Sequence, residues 1–337
     1  MSLIEVDRLG RSFVVRRRAG RFRREAHTVH AVRDLSFTVE PGEMVGYIGP
    51  NGAGKSTTIK MLTGILVPTA GRLRVAGIDP SRDRVALTRR IGVVFGQRTT
   101  LWWDLPLRDS FALLRRIYRV DAARFRRNVD TFTELLDLGD LLDTPVRQLS
   151  LGQRMRGDIA AALLHDPEIL YLDEPTIGLD VVSKGRLREF LRTLNAERGV
   201  TLLLTTHDLQ DIEQLCSRVM VIDHGSLVYD GALHQLHARS ESTRTLVVDL
   251  VDEADPIDVP GATVRRVEGP RQWLSFPADR SAAPLVAAVA AAYDVADLSI
   301  AEPDIEDVIT RIYAHGVPGG QQAGLSHDAG ATPGVPR

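Results

Sequence analysis

The segment from Gly49 to Ser56 constrains the fold of this chain more than any other part of the sequence. It contains Gly49-Pro50-Asn51-Gly52-Ala53-Gly54-Lys55-Ser56, preceded by an apolar run at 44–48 and followed by a helical pattern at 57–66. Glycines let a backbone wrap closely around phosphates, and the N-terminus of a following helix adds free N–H donors and a positive dipole end. A strand, a glycine-rich turn and a helix in this order predict a phosphate-binding loop, because a chance glycine turn would not match all eight positions.

The last residues of this loop carry the side chains that such a site uses. Lys55 is expected to reach the β- and γ-phosphates of ATP and to act in catalysis, and the Ser56 hydroxyl is expected to bind Mg²⁺. ATP and Mg²⁺ are therefore the predicted cofactors. The predicted nucleotide-binding segment comprises Gly49, Pro50, Asn51, Gly52, Ala53, Gly54, Lys55, Ser56 and Thr57.

Three further apolar runs, at 91–95, 169–172 and 201–204, predict buried strands beside the one at 44–48. Helical patterns between them, such as the one at 184–198, make this the order of a parallel α/β sheet. Ligands of such sheets bind beyond the carboxyl ends of the strands. The polar residues that follow the strands are expected to meet at one site: Lys55, Gln97, Asp173, Glu174 and His207.

Two carboxylates, Asp173 and Glu174, follow the strand predicted at 169–172. Charge at the end of a buried strand is costly unless a cation or another partner compensates it. Asp173 is expected to support Mg²⁺, and Glu174 to orient or deprotonate the attacking water. The alternative, a helix-capping turn at Asp-Glu-Pro, is the weaker interpretation beside a phosphate-binding loop.

A second group of motifs resembles one family. Leu149-Ser150-Leu151-Gly152-Gln153 lies before a helical pattern and resembles the LSGGQ signature of ABC ATPases, with leucine in the third place. Gln97 resembles the Q-loop glutamine, Gly178-Leu179-Asp180 the D-loop and His207 the switch histidine. Over roughly the first two thirds of the chain, the order and spacing of these motifs resemble the nucleotide-binding subunit of an ABC transporter.

The resemblance implies a head-to-tail dimer in which the phosphate loop of one subunit and the signature of the other sandwich each ATP. In that arrangement Ser150 and Gly152 would contact the γ-phosphate across the interface, and Gln153 of the same motif is predicted to bind the nucleotide. Leu151 departs from the family pattern and could crowd the phosphate, but we expect activity to be retained because the serine and second glycine are intact. One motif set in the chain implies a homodimer or a paralogous ATPase subunit as partner.

The resemblance also assigns the remaining site residues. Gln97 would help to bind Mg²⁺ and sense the nucleotide, and His207 would hold the γ-phosphate in catalysis. Phe13 is a candidate for stacking on adenine, with core packing as the open alternative. Trp102 and Trp103 lie where the family receives the coupling helix of its membrane subunit, and core packing remains open for one of them.

The stretch at 94–106 resembles a bacterial branch whose partners are integral membrane ABC-2-type permease subunits, which implies export. In that family the choice of substrate lies in the permease. A net charge of −2 gives no reason to expect a specific nucleic-acid partner. We expect a cytoplasmic protein, peripheral at the inner face of the cell membrane. The sequence has a single cysteine, Cys216, no apolar run of membrane-spanning length and no signal-peptide pattern at its N-terminus.

The patterns divide the chain into segments. We expect an ABC ATP-binding domain at 1–231 with a helical subdomain at about 98–165, a small α+β accessory domain at 232–315 and a disordered tail at 316–337. The fold class is therefore α/β, a P-loop NTPase of the ABC ATPase type, with a small C-terminal α+β domain.

A basic tract lies upstream of the glycine-rich loop and is either a solvated loop or a contact for an anionic partner. It comprises Arg16, Arg17, Arg18, Arg21, Arg23 and Arg24.

A soluble ABC ATPase acting in translation or DNA maintenance is the alternative function. Such translation factors usually carry two cassettes in one chain, and chromosome or repair ATPases insert a coiled coil or zinc modules between phosphate loop and signature. This sequence has a short gap there, with neither a heptad array nor a cysteine cluster. A small GTPase or kinase is a third possible function. The sequence has no recognisable guanine-reading Asn-Lys-x-Asp motif, and this function would leave the motif at 149–153 unexplained.

Overall fold

The computed structural model describes residues 2–18, 24–96, 98–206, 208–239, 243–277 and 280–301. Gln97, His207 and the predicted tail at 316–337 lie outside the described residues, as do the central residues 19–23 of the arginine-rich tract. The chain divides into two compact units between Leu236 and His237.

The first unit contains nine strands and most of the helices of the described chain. The strands are β1 (Ile4–Arg18), β2 (Arg24–Val39), β3 (Met44–Ile48), β4 (Ala70–Val75), β5 (Ile91–Phe95), β6 (Ile169–Asp173), β7 (Thr201–Thr205), β8 (Arg218–Asp223) and β9 (Ser226–Ala232). The helices are α1 (Lys55–Leu62), α2 (Arg84–Thr88), α3 (Leu107–Tyr118), α4 (Ala122–Leu135), α5 (Leu151–Leu163), α6 (Val181–Arg198), α7 (Leu209–Leu215) and α8 (Leu233–Arg239). The boundary between the two units falls within α8. Two 3₁₀ turns lie at Gly139–Leu141 and Val146–Gln148.

A six-stranded sheet has the order β5-β6-β7-β3-β8-β9, in which all neighbours are parallel except β8 and β9. The four strands predicted from apolar runs are the neighbours β5, β6, β7 and β3. Their residues are apolar at nearly every position because both faces of this sheet are covered. The parallel α/β architecture predicted from the sequence is confirmed, and it brings the carboxyl ends of these strands to one edge.

A smaller antiparallel sheet, β2-β1-β4, shares a core with the large sheet. Ile4 and Leu35 of the small sheet and Tyr47 of the large one are fully buried in that core, together with Ile59 and Met61 of α1. Helix α1 buries Thr58, Ile59, Met61 and Leu62, so buried side chains hold it around most of its circumference. This second sheet was not predicted from the sequence.

The chain between β5 and β6 forms helices α3, α4 and α5, which supply the helical subdomain of the predicted fold class. Helix α3 buries Phe111 and Leu114 on one face, at the i, i+3 spacing of an amphipathic helix. Helix α5 buries a stripe that includes Met155 and Ile159. Backbone pairing between Pro106 and Pro145 holds the start of α3 beside the chain that leads to α5.

The second unit is a small α+β structure, as predicted. It contains β10 (Thr243–Leu250), β11 (Thr263–Glu268), β12 (Arg271–Pro277), α9 (Ala283–Ala292) and β13 (Val295–Ala301), and its antiparallel sheet has the order β11-β12-β10-β13. Alternate residues Leu246 and Val248 of β10 pack into a core with Leu274, Phe276 and Val289. Among the described residues of both units, no helix has the length and apolar character needed to cross a bilayer.

Candidate nucleotide-binding site

The glycine-rich loop after β3 is shaped by close backbone packing. Gly54 adopts φ 109° at the N-cap of α1, and a Cβ there would lie 2.5 Å from the carbonyl oxygen of Ala31. A Cβ on Gly49 would collide with the carbonyl oxygen of Ile222. Gly52 has φ 85°, and no atom lies within 4 Å of the position that its Cβ would take. The loop is thus packed against the protein at two glycines and open at the third.

The open side of this loop faces a cavity of about 490 Å³. The cavity brings the loop together with the acidic end of β6, as the strand pattern predicted. Its lining residues are Ala31, Pro50, Asn51, Gly52, Gly54, Lys55, Ser56, Thr57, Lys60, Ile65, Phe95, Gly96, Arg98, Asp173 and Glu174. Three of them, Lys55, Lys60 and Arg98, are basic, which suits an anionic ligand.

Lys55 is buried under the loop, with 8% of its surface exposed. Its ammonium donates hydrogen bonds to the carbonyl oxygens of Gly49 and Pro50, the second at 3.1 Å. Burial lowers the pKa of Lys55, while Glu174 and Asp173 act in the opposite direction. An amine held among carbonyl groups and facing two carboxylates is placed to neutralise phosphate charge.

The two acidic residues at the end of β6 are fixed by their neighbouring strands. Thr205 donates a hydrogen bond from Oγ1 to Oδ1 of Asp173 at 2.5 Å, and the Gly96 amide donates to the Asp173 carbonyl at 2.7 Å. The Glu174 amide donates to the Thr205 carbonyl at 2.9 Å. Backbone bonds to β7 and to the end of β5 therefore set the direction in which both carboxylates leave the strand.

Glu174 has φ 56°, in the left-handed region that residues with a side chain seldom adopt. Such strain concentrates at functional sites, where the surrounding structure maintains it. The alternative of a helix-capping turn does not hold, because the next helix, α6, begins at Val181 and is capped by Asp180.

The residues present fit a magnesium ion as well as a nucleotide. Ser56, in the first turn of α1, and Asp173 both line the cavity and offer hydroxyl and carboxylate oxygens, which are the hard ligands that Mg²⁺ prefers. Within the described residues there is no cluster of three histidine, cysteine or acidic side chains. Two protein ligands are enough for Mg²⁺, because this ion usually takes its other ligands from water and phosphate.

The buried carboxylate of Asp211, in α7, connects the segment that follows β6 with the segment that follows β7 and with α6. It accepts hydrogen bonds from Oγ1 of Thr176 at 2.6 Å and of Thr206 at 3.3 Å, and it pairs with Arg188 of α6. Thr206 in turn accepts a hydrogen bond from the amide of Asp208 at 3.0 Å. This cluster could not be predicted from a local motif, because Thr176 and Arg188 lie far along the chain from Asp211.

The signature residues stand apart from the cavity. Ser150 caps the N-terminus of α5, where its hydroxyl and the side chain of Gln153 exchange hydrogen bonds with each other's backbone amides. Six of the described residues that we predicted to bind nucleotide do not line the cavity: Phe13, Gly49, Ala53, Ser150, Gly152 and Gln153. Gly49 and Ala53 belong to the loop itself and shape it from behind.

Phe13 is a half-buried residue of β1, and the guanidinium of Arg11 lies 4.7 Å from the centroid of its ring. A stacking role toward adenine therefore stays a prediction. Sequence analysis missed other residues that line the cavity, namely Ala31, Lys60, Ile65, Phe95, Gly96 and Arg98. The position of Lys60 in α1 was a usable signal, since the helix that follows a phosphate-binding loop borders the ligand.

A glycine-rich loop, a buried lysine and two strand-end carboxylates on a parallel sheet define a P-loop nucleoside triphosphatase. Residues 32–177 match the family model described as ABC transporter. The ABC transporter ATP-binding protein NatA of Bacillus subtilis is 35% identical over 222 residues, which is 66% of this chain and 90% of that protein. The chain belongs to this family of ATP-binding proteins, and it binds and hydrolyses ATP.

Other relatives and solved structures agree with this assignment. The daunorubicin/doxorubicin resistance ATP-binding protein DrrA of Streptomyces peucetius is 33% identical over 301 residues, covering 85% of this chain and 88% of that protein. That similarity extends past Leu236 into the second unit. The solved structure of an ATP-binding subunit of an ABC transporter has a TM-score of 0.61 at 26% identity, over 70% of this chain and 92% of that one.

A second solved structure is a dimeric ATP-binding cassette in a post-hydrolysis state, bound to ADP and Pi. Its TM-score is 0.59 at 26% identity, over 68% of this chain and 98% of that one. The Nod factor export ATP-binding protein I of Paraburkholderia xenovorans is 44% identical over 202 residues, covering 60% of this chain and 66% of that protein.

Proposed function

We propose that this chain drives export by a separate integral membrane permease of the ABC-2 type, as one of two ATPase subunits that enclose ATP and Mg²⁺ between them. The observation that carries the proposal is the separation of the signature from the cavity. Lys55, Asp173 and Glu174 face the cavity of this chain, whereas Ser150 and Gly152 lie outside it. A second subunit that presents its own signature would complete the site.

The surface beside the signature supports such an interface. Val181 is 86% exposed and Val182 66%, both in the first turn of α6, and Ile177 and Leu151 are also exposed. Exposed apolar side chains next to functional motifs are typical of surfaces that a protein partner covers. The partner is a second copy of this chain or a paralogous ATPase subunit, and the dimeric cassette among the structural relatives supports this arrangement.

Each site residue then has a defined task. The loop from Gly49 to Thr57 and the Lys55 ammonium bind the phosphates, and Ser56, Asp173 and Gln97 hold Mg²⁺, which supplies charge neutralisation when it is bound. Glu174 orients or deprotonates the attacking water. The γ-phosphate is held by His207 of the same subunit and by the signature residues Ser150 and Gly152 of the partner, and Gln153 of that signature binds the nucleotide.

A pair of tryptophans supports docking of the permease. Trp102 and Trp103 are 37% and 50% exposed, in the loop between β5 and α3. The amide of Trp102 donates a hydrogen bond to Ser110 Oγ at 3.2 Å, and the guanidinium of Arg154 lies 5.2 Å from the ring centroid of Trp103. Exposed aromatic side chains on a tethered loop are favoured interface anchors. Binding to a permease would place the chain at the inner face of the cell membrane.

The names of several relatives support export as the direction. DrrA is named for daunorubicin/doxorubicin resistance, and the relative from Paraburkholderia xenovorans is named for Nod factor export.

The test is affinity capture of a tagged Glu174→Gln variant with ATP from solubilised native membranes, followed by mass spectrometry. We expect a polytopic membrane protein to co-purify with the variant, and less of it when Trp102 and Trp103 are both replaced by alanine. Val85→Ala, at a 68% exposed position on α2, is the matched surface control. Recovery of ribosomes or DNA-maintenance proteins without a permease would contradict the proposal and favour a soluble ABC ATPase.

A further inference from the structure

Leu151, which stands where the ABC signature usually has glycine, packs onto a glycine of the D-loop. A Cβ on Gly178 would collide with Cδ2 of Leu151 and would lie 3.3 Å from its Cγ and 3.8 Å from its Cβ. The Leu151 side chain thus extends over the α-carbon of Gly178, which has φ 70°. The contact can form because residue 178 has no side chain.

A second contact runs in the opposite direction between the same two segments. A Cβ on Gly152 would lie 2.8 Å from Cδ2 of Leu179, a buried residue of the D-loop. Each segment therefore places a leucine over a glycine of the other. Close packing of this kind leaves no room for an added methyl group at either glycine without displacement of the opposing leucine.

Each of the two segments also opens a capped helix. Ser150 caps α5, and Asp180 caps α6 by accepting hydrogen bonds from the amide and hydroxyl of Ser183 at 2.9 and 2.6 Å. Capping fixes the first turn of each helix. The paired leucines then link these two fixed turns, so that a shift of one is transmitted to the other.

We propose that Leu151 is a positioning residue that locks the signature to the D-loop within one subunit. This inference rests on the proposed dimer, in which both segments meet the partner subunit's ATP site and must arrive there together. The Leu151 side chain then does not crowd the phosphate, because it packs over the α-carbon of Gly178. Leu151 thereby replaces the usual glycine with a contact that couples two catalytic segments.

The test compares Leu151→Ala, Gly178→Ala and the double variant. Leu151→Ala removes the contact, and Gly178→Ala displaces Leu151, so each single variant is expected to lower kcat roughly 10- to 100-fold with little change in the KM for ATP. In the double variant the two Cβ atoms would be 3.8 Å apart, an ordinary contact. If the two substitutions acted independently, their fold-losses in kcat would multiply in the double variant. We expect the double variant to keep about tenfold more kcat than that product predicts.

Gly77→Ala is the matched control for backbone strain, because Gly77 has φ 74° and no atom within 4 Å of its Cβ position. It separates the cost of alanine at positive φ from the clash with Leu151. Single effects that simply multiply in the double variant, or a Leu151→Ala protein with wild-type kcat, would overturn the inference.

Hydrogen exchange gives a readout that does not depend on hydrolysis. Leu151→Ala is expected to speed exchange of the amides at 181–184 in α6, although the substitution lies in α5, and Gly178→Ala to speed exchange at 152–154. Unchanged exchange at both places would reject the lock. An inactive wild-type protein would instead contradict the proposed function, while the exchange result would still decide whether Leu151 couples the two segments.

Discussion

Ser150 and Gln153 exchange two hydrogen bonds across the first turn of α5. The Ser150 amide donates to Oε1 of Gln153 at 2.9 Å, and the Gln153 amide donates to Oγ of Ser150 at 3.2 Å. This reciprocal pattern satisfies two backbone donors that a helix N-terminus would otherwise leave without partners. Ser150 therefore stabilises its own helix in addition to its proposed contact with ATP.

The two roles of Ser150 can be separated by substitution. Ser150→Ala loses the cap and is expected to lower the free energy of unfolding by about 0.5–2 kcal/mol. Ser150→Asp keeps a good capping side chain but brings a negative charge toward the γ-phosphate, so we expect near wild-type stability and a loss of ATP hydrolysis. Urea denaturation and steady-state ATPase assays measure these effects, and wild-type hydrolysis by Ser150→Asp would contradict the proposed contact.

The buried pair of Asp211 and Arg188 makes a strong prediction on stability. Asp211 is fully buried, and Asp211→Asn would leave the buried charge of Arg188 with only its longer ion pair to Asp208, at 3.8 Å. We expect a loss of about 3–5 kcal/mol in the free energy of unfolding. Glu189→Gln is the control, because it breaks an exposed ion pair with Arg192 on the same helix and should cost less than about 1 kcal/mol. Equal losses in the two variants would refute this reading of the network.

Asp158 predicts a dependence of stability on pH. Burial raises the pKa of this carboxyl group above its ordinary value of 3.8, against the lowering effect of hydrogen bonds from Thr100 and Thr99. A raised pKa in the folded protein means that the contribution to stability is complete below the unfolded pKa and is lost as the pH rises through the folded one.

Asp158→Asn should therefore gain stability relative to the wild type as the pH rises from about 4 toward neutrality. All three hydrogen bonds go to Oδ1, which an asparagine carbonyl can replace. Urea midpoints of both proteins across this range measure the difference, with Asp130→Asn at an exposed position of α4 as the control. A constant difference across the range, or one that moves the other way, would show that the buried carboxyl group does not govern it.

Much of the large sheet was predictable because its evidence is local. The strands at 44–48 and 91–95 are short runs of buried apolar residues, and their observed ends match the predicted ones. The small sheet was missed because β1 and β2 are long and carry exposed positions such as Val14 and Val29, so no continuous apolar run marks them.

The site shows the same division between local and distant information. The glycine-rich loop and Asp173-Glu174 are contiguous motifs, and the sheet brings them to one cavity as expected. The contact of Leu151 with Gly178 could not be inferred, because it depends on how the starts of α5 and α6 pack in three dimensions. The same holds for Asp211, whose partners Thr176 and Arg188 lie on other segments.

The most direct test of the central claim is a comparison of ATP hydrolysis by the purified wild-type protein and Glu174→Gln, with ATP binding measured on the same samples. We predict that the variant binds ATP as the wild type does, because the loop and Lys55 are intact, and that its turnover falls roughly 10²- to 10⁴-fold, as expected for loss of a general base. Unchanged steady-state hydrolysis by the pure variant would contradict the role assigned to Glu174 and with it this account of the site.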